Sequence, residues 1–262
     1  MFKYLPVITI SIIILLTTLA PIIIQHDPLA VDLDSIKEPP SLKHPFGTDS
    51  KGRDILSRIL YGGRISLAVA LFAGVVSLSI GFTVGLIAGY YAGWVDALLM
   101  ALVDFLLSFP SLLLAIGISI VLPAGVFTVI FAISAVGWLS FARLIRGHVL
   151  SIREMAYVES AKALGCSDLR ILLKHVLPQC IPIGIVLFGL KLGGFILTEA
   201  ALSFLGLGTP PPTPSWGAMI SENRAYILSE PWMVIFPGIL IAITALSFNL
   251  LGDFLQKKLT PR

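Results

Sequence analysis

The chain has 262 residues, of which 56% are hydrophobic and 13% charged, and its mean hydropathy is +0.95. A water-soluble domain of this length cannot hide that much apolar surface, so most of the chain must face lipid. The net charge of +3 is spread through loops rather than gathered into one stripe, which gives nucleic-acid binding little support.

A bilayer core about 30 Å thick takes about 20 apolar residues in a helix. Six runs meet that length: 5–24, 65–90, 98–122, 125–145, 180–207 and 232–252. Helix is the only form open to them, because lipid offers no partners to unpaired backbone groups. The first run follows Lys3 but is longer than a secretory h-region and lacks a small-x-small cleavage site, so it reads as a retained anchor. The second carries Gly81-x3-Gly85-x3-Gly89 and the fifth Gly189-x3-Gly193, faces that let helix backbones approach closely. Packing within the chain is the preferred reading of both, ahead of dimerisation. Tyr90, Tyr91 and Trp94 mark an interface after the second run, and Trp232 opens the sixth. Pro123-Ala124-Gly125 makes the third and fourth runs a hairpin. The fold class is therefore all-α membrane protein with about six spans. Its organisation is an anchor and outer segment (1–64), a core (65–255) and a short tail (256–262).

Six crossings put both termini on one side. Ten Lys and Arg residues fall on the face shared with the termini, among them Lys3, Arg143, Arg153 and Arg262, against seven on the other. That weak positive-inside bias favours cytoplasmic termini without settling the matter. Three ionisable residues lie inside runs: Asp104, Lys191 and Glu199. Each is costly in lipid and should face protein or water. Lys191 and Glu199 stand eight residues apart, near one helical face, where they could line a path for zwitterionic solutes. The competing reading is a structural ion pair, such as Lys191 with Asp104. Cys166 and Cys180 lack metal-ligand spacing and read as free thiols. No His, Cys or carboxylate cluster suggests a metal site.

The polar stretch between the fourth and fifth runs is the most informative. Ser151 and Glu154 have capping-box spacing and predict a helix start. Gly165 is placed to end that helix in a left-handed cap, and Ser167 to cap a second short helix running to Pro178. The product is a slim helix–glycine–helix elbow over 151–178. It suits insertion into a groove on another protein, or alternatively a connector lying on the headgroups.

Glu159-Ser160-Ala161, three residues, Gly165, nine residues and His175-Val-Leu177-Pro178 resemble the EAA loop of ABC importer permeases. Ser160 and His175 depart mildly from that pattern. Further stretches resemble the second permease subunit of the dipeptide/oligopeptide/nickel branch. These are His44-Pro-Phe-Gly-Thr-Asp49 with Gly52-Arg-Asp-Ile-Leu-Ser-Arg58, Asp104-Phe-Leu-Leu-Ser-Phe-Pro110, Leu202-Ser-Phe-Leu-Gly-Leu-Gly208, Pro212-Thr-Pro-Ser-Trp-Gly217 and Phe248-Asn-Leu-Leu-Gly-Asp253.

The resemblance implies a type I ABC importer permease fold and a multi-pass protein of the cell membrane. The elbow becomes a cytoplasmic coupling helix in which Glu159, Ser160, Ala161, Gly165, Leu177 and Pro178 meet an ATPase subunit. Both termini then lie in the cytoplasm. The implied partners are a homologous permease, two ATPase subunits and an extracytoplasmic solute-binding protein docking on 25–64 and 208–231. The chain lacks a Gly-x4-Gly-Lys-Ser/Thr phosphate loop and a recognisable nucleophile–base pair. It is expected to bind no cofactor itself, with ATP and magnesium on the partner subunits. The implied cargo is di- or oligopeptide. A nickel or metal-chelate permease of the same family is the nearest alternative. An ion-coupled secondary transporter using Asp104, Lys191 and Glu199 is a more distant one, because it leaves the elbow unexplained.

Overall fold

A computed structural model describes residues 4–24 and 26–259. Lys3 and Arg262, counted above toward one face, lie outside the described residues, as does the end of the tail. Among those described, every regular element is helical, and the only β feature is an isolated bridge between Thr48 and Asp54.

The first apolar run divides into α1 (Leu5–Thr18) and the single turn α2 (Ala20–Ile23). At 1.5 Å per residue, α1 is about 21 Å long, short of a full crossing. The second run is longer than expected, because α3 extends over Ile55–Tyr91. The Asp54 carboxylate caps it, accepting from the Ser57 amide at 2.8 Å, and Ile55 and Ile59 are buried at its outer end. The third run is not one straight helix. It forms α4 (Gly93–Leu107) and α5 (Ser111–Val121), which meet at a bend of 85°. Pro110, at the N-cap of α5, has no amide to donate and steers Phe109 away from helical geometry.

The turn at Pro123–Gly125 holds as expected and leads into α6 (Val126–Arg153). The polar stretch then forms α7 (Ala156–Ala163) and α8 (Asp168–Ile171). A π-helical turn at Leu172–Val176 joins α8 to α9 (Leu177–Phe204). After α10 (Trp216–Asn223), α11 (Trp232–Leu259) is the last described element and runs through 256–259, residues assigned above to the tail. Among the described residues, four helical stretches are long and apolar enough to cross a membrane: 55–91, 126–153, 168–204 and 232–259. The bent α4–α5 pair makes a fifth. With the short α1, these account for the six apolar runs.

The most extensive helix–helix interface is between α3 and α6, and the glycine stripe explains it. A β-carbon on Gly81 would lie 2.4 Å from the Trp138 carbonyl oxygen, and one on Gly85 would lie 2.7 Å from that of Ala142. Gly89 meets Val149 in the same way. The stripe packs inside the chain, as preferred on sequence grounds. Gly193 likewise lies against the Ala245 carbonyl of α11. Apolar side chains gather in a central core and two end clusters. One end cluster lies under the elbow around Ile145, Val149, Val158, Ile171 and Val176. The other lies at the opposite end around Ile55, Ile59, Met219 and Met233.

Candidate functional site

The elbow exists, but it is built differently from the sequence expectation. Ser151 and Glu154 do not start a helix. Ser151 sits in the last turn of α6 with its hydroxyl donating to the Gly147 carbonyl, and Glu154 follows that helix's end. A capping box contributes about 1 kcal/mol. Here it competes with the continued burial of Ile145, Val149 and Ile152 along α6, each such side chain being worth about 1.5–3 kcal/mol. The first elbow helix therefore begins only after Met155.

Gly165 does end it. Its φ is +78°, and the Gly165 amide donates to the Lys162 carbonyl while the Cys166 amide donates to that of Ala161, at 2.9 and 3.1 Å. These two bonds form a Schellman motif, which a left-handed glycine completes at little steric cost. Ser167 occupies the N-cap of α8 but makes no side-chain capping bond. The second elbow helix does not stop at Pro178 either. The preceding π turn lets the chain pass the missing amide of that proline, so residues 168–204 run as one helical stretch.

Val158 and Ala161 anchor α7 from beneath, both buried. Asp168 accepts a hydrogen bond from the Tyr90 hydroxyl at 2.7 Å, tying α8 to the end of α3. Lys162 lies over the Tyr90 ring rather than pairing with Glu159. Glu159, Ser160, Gly165 and Pro178 are exposed and Leu177 is partly so. Among the described residues the Glu159 carboxylate makes no ion pair. Leu164 is 84% and Leu169 65% exposed, so the outer rim of the elbow carries apolar side chains that none of the described residues covers.

The three ionisable residues of the spans are not brought together. Asp104 pairs with Arg143 of α6, replacing the conjectured Lys191 partner. Eight residues earlier on α4, Asp96 takes a second α6 arginine, Arg146, whose Nε donates at 2.9 Å. Glu199 is 2% exposed, with Oε1 accepting from the Ser203 hydroxyl at 2.7 Å. Ser66 of α3 and Ser215 before α10 lie near the same carboxyl, whose Oε2 has no hydrogen-bond partner among the described residues. Lys191 instead lines a separate cavity of about 190 Å³ between α5, α6 and α9. Eight residues of an α-helix turn through about 800°, leaving the two side chains some 80° apart. That angle is enough to send them to different neighbours.

The end of the bundle opposite the elbow holds a cluster that sequence reading passed over. Arg58 is fully buried between Asp49, at 3.5 Å, and Glu222 of α10, at 3.1 Å. Arg53 holds the same two carboxylates, reaching Asp49 at 2.7 Å. Gly52, at φ +72°, lies where a β-carbon would collide with the Asp32 carbonyl. Trp216, also fully buried, donates its indole N–H to the Ile59 carbonyl at 2.9 Å. The stretches 44–58 and 212–217, noted above only as marks of resemblance, thus fasten the 26–54 segment and α10 onto the mouth of α3. The signal was available: two arginines at the head of an apolar run require buried acids nearby. Among the described residues, no three His, Cys, Asp or Glu side chains are grouped to hold a metal ion.

Residues 81–262 match the model of the family described as binding-protein-dependent transport system inner membrane component. The chain belongs to that family. This permease is 46% identical over 231 residues to the glutathione transport system permease protein GsiD of Pectobacterium atrosepticum, covering 88% of this chain and 77% of that protein. It is 45% identical to the protein of the same name from Escherichia coli O157:H7, over 88% of this chain and 76% of that one. Among solved structures, the MetNI methionine ABC transporter in an inward-facing form matches with a TM-score of 0.65. That match covers 79% of this chain and 98% of the other at 18% identity, so it speaks for the fold alone. The permease is a membrane-embedded transport subunit of an ABC importer, and ATP hydrolysis belongs to other subunits of such systems.

Proposed function

We propose that this permease forms one half of the translocation path of an ATP-driven importer for short peptides and peptide-like solutes. The observation that carries the reading is the elbow: the short helix α7 joined through Gly165 to the head of the 168–204 helical stretch, anchored from below and presenting uncovered Leu164, Leu169 and Glu159. Such a rim fits a groove on an ATPase subunit, with Glu159 offering a charge-assisted contact and Gly165 setting the angle. Ser160, Ala161, Leu177 and Pro178 shape the same surface. Two ATPase subunits, carrying ATP and magnesium, close on this elbow and on that of a homologous permease. The pair then moves between inward- and outward-facing states, a two-state equilibrium biased by nucleotide.

In this arrangement the elbow and both termini lie in the cytoplasm. The cap of 26–54 with α10 faces outward and receives a solute-binding protein. Relatives named for glutathione transport, itself a small peptide, support a peptide-like cargo over a metal chelate. Lys191, on the cavity side of α9, lies along the solute's route. Glu199 serves as a strut between helices, and Asp104 joins α4 to α6 near the cytoplasmic end. Reconstitution into vesicles tests the reading. Uptake of labelled short peptides should persist with ion gradients collapsed and stop when the ATPase subunits are omitted. Uptake that follows a proton or sodium gradient instead would overturn it.

A further inference from the structure

Lys191 occupies the middle of α9, fourteen residues from Leu177, or about 21 Å along the axis. It is half-buried, and among the described residues it has no acid or hydrogen-bond partner. A lone cation at that depth is a functional position by default. The acids that might have neutralised it are engaged elsewhere: Asp104 with Arg143, and Glu199 with Ser203 beneath a different face of α9.

The cavity beside Lys191 is lined by Ser111 of α5, Ser140 of α6 and Thr198 of α9, together with apolar side chains. The hydroxyls of Ser111 and Ser140 make no hydrogen bond to the described residues, so both are free to donate, whereas Thr198 donates to the Gly194 carbonyl at 2.9 Å. Gly194 opens the wall, since a β-carbon there would meet nothing within 4 Å. The lining therefore offers one positive charge, two uncommitted hydroxyls and no carboxylate. That chemistry holds an anion and rejects a cation. At about 190 Å³, the space suits one end group of a solute and not a whole peptide.

We propose that Lys191, with Ser140 and Ser111, forms a station that holds the carboxylate end of the solute as it passes this half of the path. The proposal rests on the peptide-import reading above and adds to it a preference for solutes with a free carboxylate. The test uses the complete transporter, with its partner permease, ATPase subunits and binding protein, in vesicles. ATP-driven uptake is measured for labelled di- and trialanine and for their C-terminal amides. The affinity of each for the binding protein is measured separately, so that delivery can be factored out.

In the wild type, corrected uptake should favour the free acids. Lys191→Gln should lower the acid-to-amide ratio about tenfold, and Lys191→Arg should keep it within about threefold. Ser140→Ala should lower it about threefold, and this variant decides the matter if Lys191→Gln fails to assemble with its partners. Equal losses for acid and amide would mean that Lys191 pairs with a carboxylate of the partner permease, and would overturn the station. An unchanged ratio in all variants would do the same. No ATP-driven uptake of any peptide by the wild type would overturn the import reading itself, a result separable from both.

Discussion

Replacing Arg58 by methionine removes one of two cations from a buried group of four charges. Asp49 and Glu222 are matched by Arg53 and Arg58, and the cluster is neutral as it stands. The substitution leaves it with a net charge of −1 beside Asp49, whose side chain is only 1% exposed. Breaking a buried pair typically costs 3–5 kcal/mol. Arg53 still holds both carboxylates and the Glu222 side chain is 20% exposed, so the lower end applies: about 3 kcal/mol, or roughly a 150-fold change in the folded-to-unfolded ratio. Adding Glu222→Gln restores neutrality, and the double variant should regain about half of the loss. Unfolding of the purified permease in mixed micelles, titrated with a denaturing detergent and followed by tryptophan fluorescence, measures both. If the two substitutions add to within about 0.5 kcal/mol, the cluster does not act as a unit and the reasoning fails.

Gly165→Pro demands a φ near −65° where the chain has +78°, and it removes the amide that bonds Lys162. With Glu159→Arg as a second probe of the same rim, both variants should reach the membrane yet hydrolyse ATP in the assembled transporter without uptake. Coupled transport at the wild-type level in both would count against the elbow. Gly85→Leu should prevent proper packing of α3 on α6, since its β-carbon starts 2.7 Å from the Ala142 carbonyl. A loss of 1–3 kcal/mol or more is expected, visible as proteolysis of the inserted protein. By contrast, Asp104→Asn breaks a pair whose side chains are 61% and 53% exposed. It should change stability by less than about 1 kcal/mol, and a larger drop in the same micelle titration would show that the pair is structural.

The six apolar runs were legible because lipid leaves a helix no alternative, and the glycine stripe because small residues four apart mark one face. The bend at Pro110 was legible in kind but was read through as a single span, since its flanks are apolar throughout. The elbow's boundaries slipped for an energetic reason. Local signals such as the Ser151–Glu154 spacing are worth about 1 kcal/mol, less than the burial that draws α6 onward. Pro178 misled for a geometric reason, because a widened turn just before it absorbs the missing donor. Lys191 and Glu199 stand out in the sequence as ionisable groups in an apolar run, but 80° of helical rotation separates their surroundings, and spacing alone does not resolve which neighbours lie on either side. The Arg58 cluster draws its acids from positions more than 160 residues apart, a pairing that only the tertiary fold discloses.

Because the π turn bridges α8 to α9 without a break, the outer rim and Lys191 ride on one lever. From Leu172 to Lys191 the rod measures about 29 Å. Tilting it by roughly 10° about the rim would swing the ammonium group sideways by about 5 Å, close to one helical pitch. A continuous helical member of that length turns a small shove at the elbow into a full helical step at Lys191. Along that rod Pro182 lies inside α9 and the π turn lies at its base, so any bending of the lever should concentrate at these two places.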